Sequence, residues 1–176
     1  TIGAGSLCNC KLLTTVTMPG KFKVSPSNTG KNQGIMSQHN NIENIKLNTA
    51  LDISNMNYFS AVNVYTWNKD SKYKSYDGVV YSKDGKTVLG MPLKRSELII
   101  REGCTTFDVQ AVAYDSVFDD SDMFACDSLR KVIIPESVEK VVDSRNLLAK
   151  TKRAGFKVED VIVKSKNMDG NSIGLL

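Results

Sequence analysis

The chain has 176 residues, 41% of them hydrophobic and 24% charged, with a formal net charge of +4. That length allows one domain with a real core, or about six to eight repeats of 20–29 residues each. The composition lies outside the disordered range, the lysines are interspersed with acidic residues rather than gathered into a nucleic-acid-binding block, and no run reaches the roughly 18 apolar residues of a membrane span.

The opening stretch sets the architecture. Leu7, Cys10, Leu13, Val16, Met18 and Pro19 recur 116 residues later as Met123, Cys126, Leu129, Val132, Ile134 and Pro135, with the same steps of three, three, three, two and one. Steps of three return side chains to one face of a tight helical turn, and a step of two keeps them on one face of a strand. A unit that switches from helical to extended and then recurs predicts a solenoid. The chain starts at Thr1-Ile2 inside this pattern, so it reads as a piece of a longer protein, and the lack of a targeting signal carries no information.

Residues 20–41, rich in Ser, Asn, Gly and Lys and containing Pro26, read as an irregular loop. His39 lies there with no nucleophile signature such as Gly-x-Ser-x-Gly to accompany it. The strand half of the unit then returns as Ile42/Ile45/Leu47 and Phe59/Val62/Val64, in part as Leu98/Ile100, and near the end as Val158/Val161/Val163. Laid side by side and parallel, such strands bury their anchors in one continuous core. The residues between the anchors project outward: Thr15 and Thr17, Asn44 and Lys46, Ala61 and Asn63, Lys131 and Ile133, Asp160 and Ile162. This mixed face, nearly uncharged in sum, suits contact rather than chemistry.

Tyr58, Phe59, Tyr65, Trp67, Tyr73, Tyr76 and Tyr81 concentrate aromatic side chains in one region, with Lys69, Lys72 and Lys74 among them. They suit either strand packing or a platform for a carbohydrate or peptide. Taken with the outward positions, they make Trp67, Tyr65, Lys131, Asn63 and Lys46 the candidate binding residues. Val79-Val80-Tyr81, then Lys83-Asp84-Gly85-Lys86, then Thr87-Val88-Leu89 predict a β-hairpin within 76–92, turned by Asp-Gly. Asp84-Gly85-Lys86-Thr87 lacks the preceding glycine and spacer of a phosphate-binding loop.

Asp115, Asp119, Asp120 and Asp122 offer oxygen ligands to calcium but lack the EF-hand alternation and its closing Glu. The other reading is an acidic loop in which Ser121 or Asp122 caps the next turn. Residues 146–155 read as a short helix with a cationic end, and 164–176 carry little pattern. Cys10 and Cys126 share an inward slot, Cys8 is too near Cys10 for an ordinary bridge, and Cys104 falls where a related unit has Val138. Four free thiols are expected, since a Cys8/Cys10/His39 metal site would lack a fourth ligand and the usual gap between cysteines.

Asp77 to Thr87 resembles the hairpin that precedes repeats in BspA-like leucine-rich-repeat surface proteins. Ser128 to Val138 resembles that family's strand and turn, Phe124-Ala125-Cys126 the helical turn before it, and Leu7 to Pro19 the same unit. The resemblance is close over 1–19 and 72–141, and departs at Ser116–Asp122, which lengthens a turn, and over 20–60, which loses the regular repeat. It implies one right-handed leucine-rich-repeat solenoid over 1–176, β-rich, with parallel strands, short helical turns and an inserted β-hairpin. It also implies a bacterial secreted or cell-surface protein: a non-enzymatic, adhesin-like scaffold binding a host protein or glycan. No catalytic residue, metal or cofactor comes with it. The alternative function is a structural spacer that presents another domain and has no ligand of its own.

Overall fold

Val16 and Met18, like Ile45 and Leu47, can share one buried face only if the backbone is extended, and both segments are strands. A computed structural model describes residues 2–3, 6–7, 10–18, 24–25, 42–48, 63–66, 72–91, 94–111, 113–114, 124–125, 129–143 and 160–173. In it, Thr15–Met18, Asn44–Leu47 and Asn63–Thr66 pair in parallel as a first three-stranded ladder. The third strand sits two residues away from the expected alignment, with Ile45 opposite Val64 rather than Val62, and Leu47 opposite Thr66. A shift of two preserves the faces but moves Asn63 from opposite Lys46, where the spacing would set it, to opposite Asn44. Thr66 takes a place in the inward column of Met18 and Leu47, and its Oγ1 is buried with no hydrogen-bond partner among the described residues. The Thr66 backbone fixes this register: its N–H donates to Ser75 Oγ at 2.8 Å, and the Ser75 hydroxyl donates to its carbonyl at 3.4 Å.

Tyr73–Tyr76, Val79–Ser82 and Thr87–Gly90 form an antiparallel meander. The turn between the first two strands is Asp77-Gly78, with φ of 47° and 71°. Positive φ at both central residues is the turn geometry that matches strand twist, and Gly tolerates it at no steric cost. In the next turn, Asp84 Oδ1 accepts from the Ser82 hydroxyl at 2.6 Å and the Lys86 N–H at 3.0 Å. The strand Thr87–Gly90 also pairs in parallel with Thr106–Asp108, which in turn pairs with Lys140–Val142. The hairpin is therefore joined to the repeat, because its last strand is the first rung of a second ladder.

The third ladder joins Glu97–Ile99, Lys131–Ile134 and Asp160–Val163, with Leu98, Val132 and Val161 in register. From Thr87 onward the chain alternates between the second and third ladders, each coil giving one strand to each. Leu98, Ile100, Phe107, Val132, Ile134, Val138 and Val141 fill the space between. The turns stack as the strands do: Ser137 Oγ accepts from the Gly103 N–H at 2.9 Å and donates to the Cys104 carbonyl at 2.8 Å.

Four expectations change here. Val24–Ser25, inside the stretch 20–41 expected as an irregular loop, is a short strand paired in parallel with Ile2–Gly3. Phe124–Ala125, expected in a helical turn, is a strand paired antiparallel with Ala113–Tyr114. A lone turn of helix is costly to nucleate, whereas pairing satisfies the same backbone groups directly. Val161 and Val163, expected as buried anchors, are 41% and 43% exposed, because among the described residues no strand follows theirs in the ladder. The patternless tail instead contains the helix Gly170–Ile173, and Ser172 is buried against Val141. Ser172 Oγ accepts from the Val141 N–H at 2.8 Å and donates to the Val141 carbonyl at 3.3 Å, standing where another strand would be. Ser172→Ala strips both groups of their partner and is expected to cost roughly 1–3 kcal/mol, read from the denaturant midpoint.

Asp169 Oδ1 accepts from the Ser172 N–H at 2.6 Å, and this backbone bond lowers the Asp169 carboxyl below its ordinary 3.8. A depressed carboxylate contributes stability that is complete above the unfolded value and is lost as pH falls through the folded one. Thermal midpoints should therefore drop on acidification below about pH 4, and Asp169→Asn should show a smaller drop over that window. An equal drop in the variant would assign the acid sensitivity to other carboxylates.

Candidate functional site

The outward face of the first ladder carries two rows across its three strands: Thr15–Asn44–Asn63 and Thr17–Lys46–Tyr65. Asn63 Nδ2 donates to Asn44 Oδ1 at 3.1 Å, fixing both amides. Behind Asn63 stands the Asp77-Gly78 turn, where a Cβ at position 78 would lie 2.5 Å from Asn63 Oδ1 and 2.7 Å from its Cβ. Arg95 holds that turn in place, pairing with the Asp77 carboxylate at 2.8 Å and donating to the Asp77 carbonyl. Lys46 is exposed and Tyr65 half-buried beside it. The face thus offers amide donors and acceptors, one cation and one aromatic ring on a rigid mount.

The third ladder presents a different surface. Glu97, Lys131 and Asp160 form one row, and Ile99, Ile133 and Ile162 another. Ile99 is 51% exposed and Ile162 41%. Of the five candidates, the structure brings Asn63, Lys46 and Tyr65 together and puts Lys131 on a separate ladder; Trp67 lies outside the described residues. Ile99 and Glu97 were not singled out in the sequence, although the alternation Glu97-Leu98-Ile99-Ile100 placed both on the outward side.

Most of the described aromatic cluster serves packing. Tyr73 and Tyr76 pack against the core, and the Tyr76 and Tyr81 rings meet edge-to-face at 5.6 Å. The Arg101 guanidinium lies 4.0 Å over the Tyr76 ring. The Tyr81 hydroxyl accepts from the Arg101 N–H at 3.0 Å, and burial raises the Tyr81 phenol above its usual range.

Cys104 is a buried free thiol, pushed up by that burial, and Cys10 is free and half-buried. Cys104 should resist alkylation in the native protein and react in denaturant, as peptide mass mapping would read; fast native labelling would contradict its place in the core. Cys8, Cys126, His39, the Asp115–Asp122 loop and the expected helix at 146–155 lie outside the described residues. Among the described residues, no three His, Cys, Asp or Glu side chains gather as a metal site, and no helix is long and apolar enough to cross a membrane.

No protein-family model matches the sequence, and neither does any curated protein. Solved structures similar to this chain include leucine-rich-repeat proteins. The pneumococcal vaccine antigen PcpA matches over 89% of this chain and 40% of its own, at 13% identity and a TM-score of 0.42. A leucine-rich cell-surface protein of Faecalibacterium prausnitzii matches over 79% and 40%, at 16% identity and a TM-score of 0.38. A leucine-rich-repeat protein of Eubacterium ventriosum matches over 73% and 38%, at 13% identity and a TM-score of 0.37. The chain spans about two fifths of each of these proteins. Its own parallel ladders fit a repeat fold.

Proposed function

We propose that this chain is a non-enzymatic repeat scaffold of the bacterial cell surface, binding a protein or glycan through the outward face of its first ladder. The observation that carries this reading is the mounting of Asn44, Asn63, Lys46 and Tyr65 in adjacent register, with the Asn63 amide bonded to Asn44 and backed by the Asp77-Gly78 turn. Amide pairs and an aromatic ring beside a cation suit hydroxyl-rich or peptide ligands. The alternating ladders are read as turns of one right-handed solenoid, the sense that twisted strands favour in parallel connections.

A glycan array and a panel of extracellular-matrix proteins, probed with the chain and with a Lys46→Glu/Tyr65→Ala double variant, test the proposal. Saturable binding lost in the variant supports it. Binding that survives the double variant but fails in Lys131→Glu moves the site to the third ladder. No binding to any member of either panel favours the spacer reading.

A further inference from the structure

Two of the three ladders of three parallel strands end on a serine. Ser75 accepts from the N–H of Thr66 and donates to its carbonyl, and Ser172 does the same for Val141. In each case one hydroxyl replaces the peptide group of a next strand and closes that edge. The third ladder has no such closure among the described residues at Asp160–Val163. There, the Asp160 N–H donates to the Arg130 carbonyl and the Lys164 N–H to the Ile134 carbonyl. In a parallel ladder alternate residues bond to opposite sides, so the backbone groups of Val161 and Val163 face the free edge.

We propose that the Asp160–Val163 edge accepts an extended peptide as a fourth parallel strand, one that carries a cation opposite Asp160 and apolar residues after it. The rows specify this occupant. Glu97, Lys131 and Asp160 alternate in charge, so a cation continues the sequence and an acid breaks it. Leu98–Val132–Val161 and Ile99–Ile133–Ile162 are apolar rows whose last members are exposed and gain burial from a similar neighbour. The chain itself shows what the strand accepts on its other side: Lys131-Val132-Ile133-Ile134 in parallel register. Strand addition of this kind draws affinity from main-chain hydrogen bonds and selectivity from the side-chain rows. It is independent of the first-ladder face.

The probe is a fluorescent peptide copying Arg130 to Pro135, titrated into the full 176-residue chain and read by anisotropy. Saturable binding is expected, weaker by at least about fivefold for a peptide with Glu in place of its Lys. Asp160→Lys should invert that preference. Val161→Pro removes an N–H that faces away from the Lys131–Ile134 strand, so it should abolish peptide binding while leaving the thermal midpoint near that of the parent. Equal affinity for both peptides, an Asp160→Lys chain with unchanged preference, or binding that survives Val161→Pro would each overturn the proposal. So would sedimentation showing that the edge is occupied by a second copy of the chain.

Discussion

Val132→Asp is expected to abolish cooperative folding, while Lys131→Asp, one residue away, leaves a folded protein. Val132 is buried between Leu98 and Val161 in the third ladder, on the inward side. A carboxyl there has no described partner, so it must be held neutral or drag water into the core, and the apolar contact is lost as well. Together these should cost at least about 4 kcal/mol, a large part of the roughly 5–15 kcal/mol by which domains of this size are stable. Lys131 lies on the outward side between Glu97 and Asp160. Reversing its charge places like charges side by side at a cost of up to about 1 kcal/mol, or roughly 2–4 °C in the thermal midpoint. Circular dichroism melts of the two variants decide the matter. Equal damage from both would place the inward and outward faces one residue out of step.

Gly78→Ala should produce the second large effect. Gly78 has a φ of 71°, a conformation that costs a residue with a Cβ about 1–2 kcal/mol. The added methyl also meets Asn63 Oδ1 at 2.5 Å, Cβ at 2.7 Å and Cγ at 2.9 Å. Asn63 cannot yield freely, because its amide is bonded to Asn44 and its N–H donates to the Glu43 carbonyl at 2.7 Å. Strain and overlap together should cost about 2–4 kcal/mol, lowering the thermal midpoint by roughly 5–15 °C. Asn63→Gly removes the colliding atoms, so the double variant should recover the steric part of the loss and keep the conformational part. A double variant whose losses simply add would show that Gly78 and Asn63 are not in contact. Any ligand of the first-ladder face should also bind Gly78→Ala more weakly, although Gly78 itself is buried behind Asn63.

The repeated spacing located the six strands that became the first and third ladders, because each has two anchors at alternate positions within it or at its end. It did not locate the second ladder. Two places on from Val88 and Val141 stand Gly90 and Asp143, which are not apolar, and the strand of Phe107 ends one residue later at Asp108. Nor did apolar spacing reveal that the six strands fall into two groups of three, since the grouping depends on which turns stack. The two-residue offset at Asn63–Thr66 was hidden for a similar reason: Val62 and Val64 have the same parity and equally good strand propensity, and a serine from the next strand chooses between them. The closures at Ser75 and Ser172 could not be read at all, because each is a contact between a hydroxyl and a backbone group remote from it or in another strand. Of the binding face, Lys46 and Asn63 were legible as outward residues and Tyr65 as part of the aromatic cluster, but their adjacency required the register.

The register itself is the most direct point of test. A nitrogen-edited NOESY spectrum of the labelled chain should place Val132 beside both Leu98 and Val161, and Phe107 beside both Val88 and Val141, as parallel neighbours on either side. Cross-peaks instead pairing Lys131–Ile134 with Lys140–Val142 as consecutive antiparallel strands would contradict the stacked-coil account.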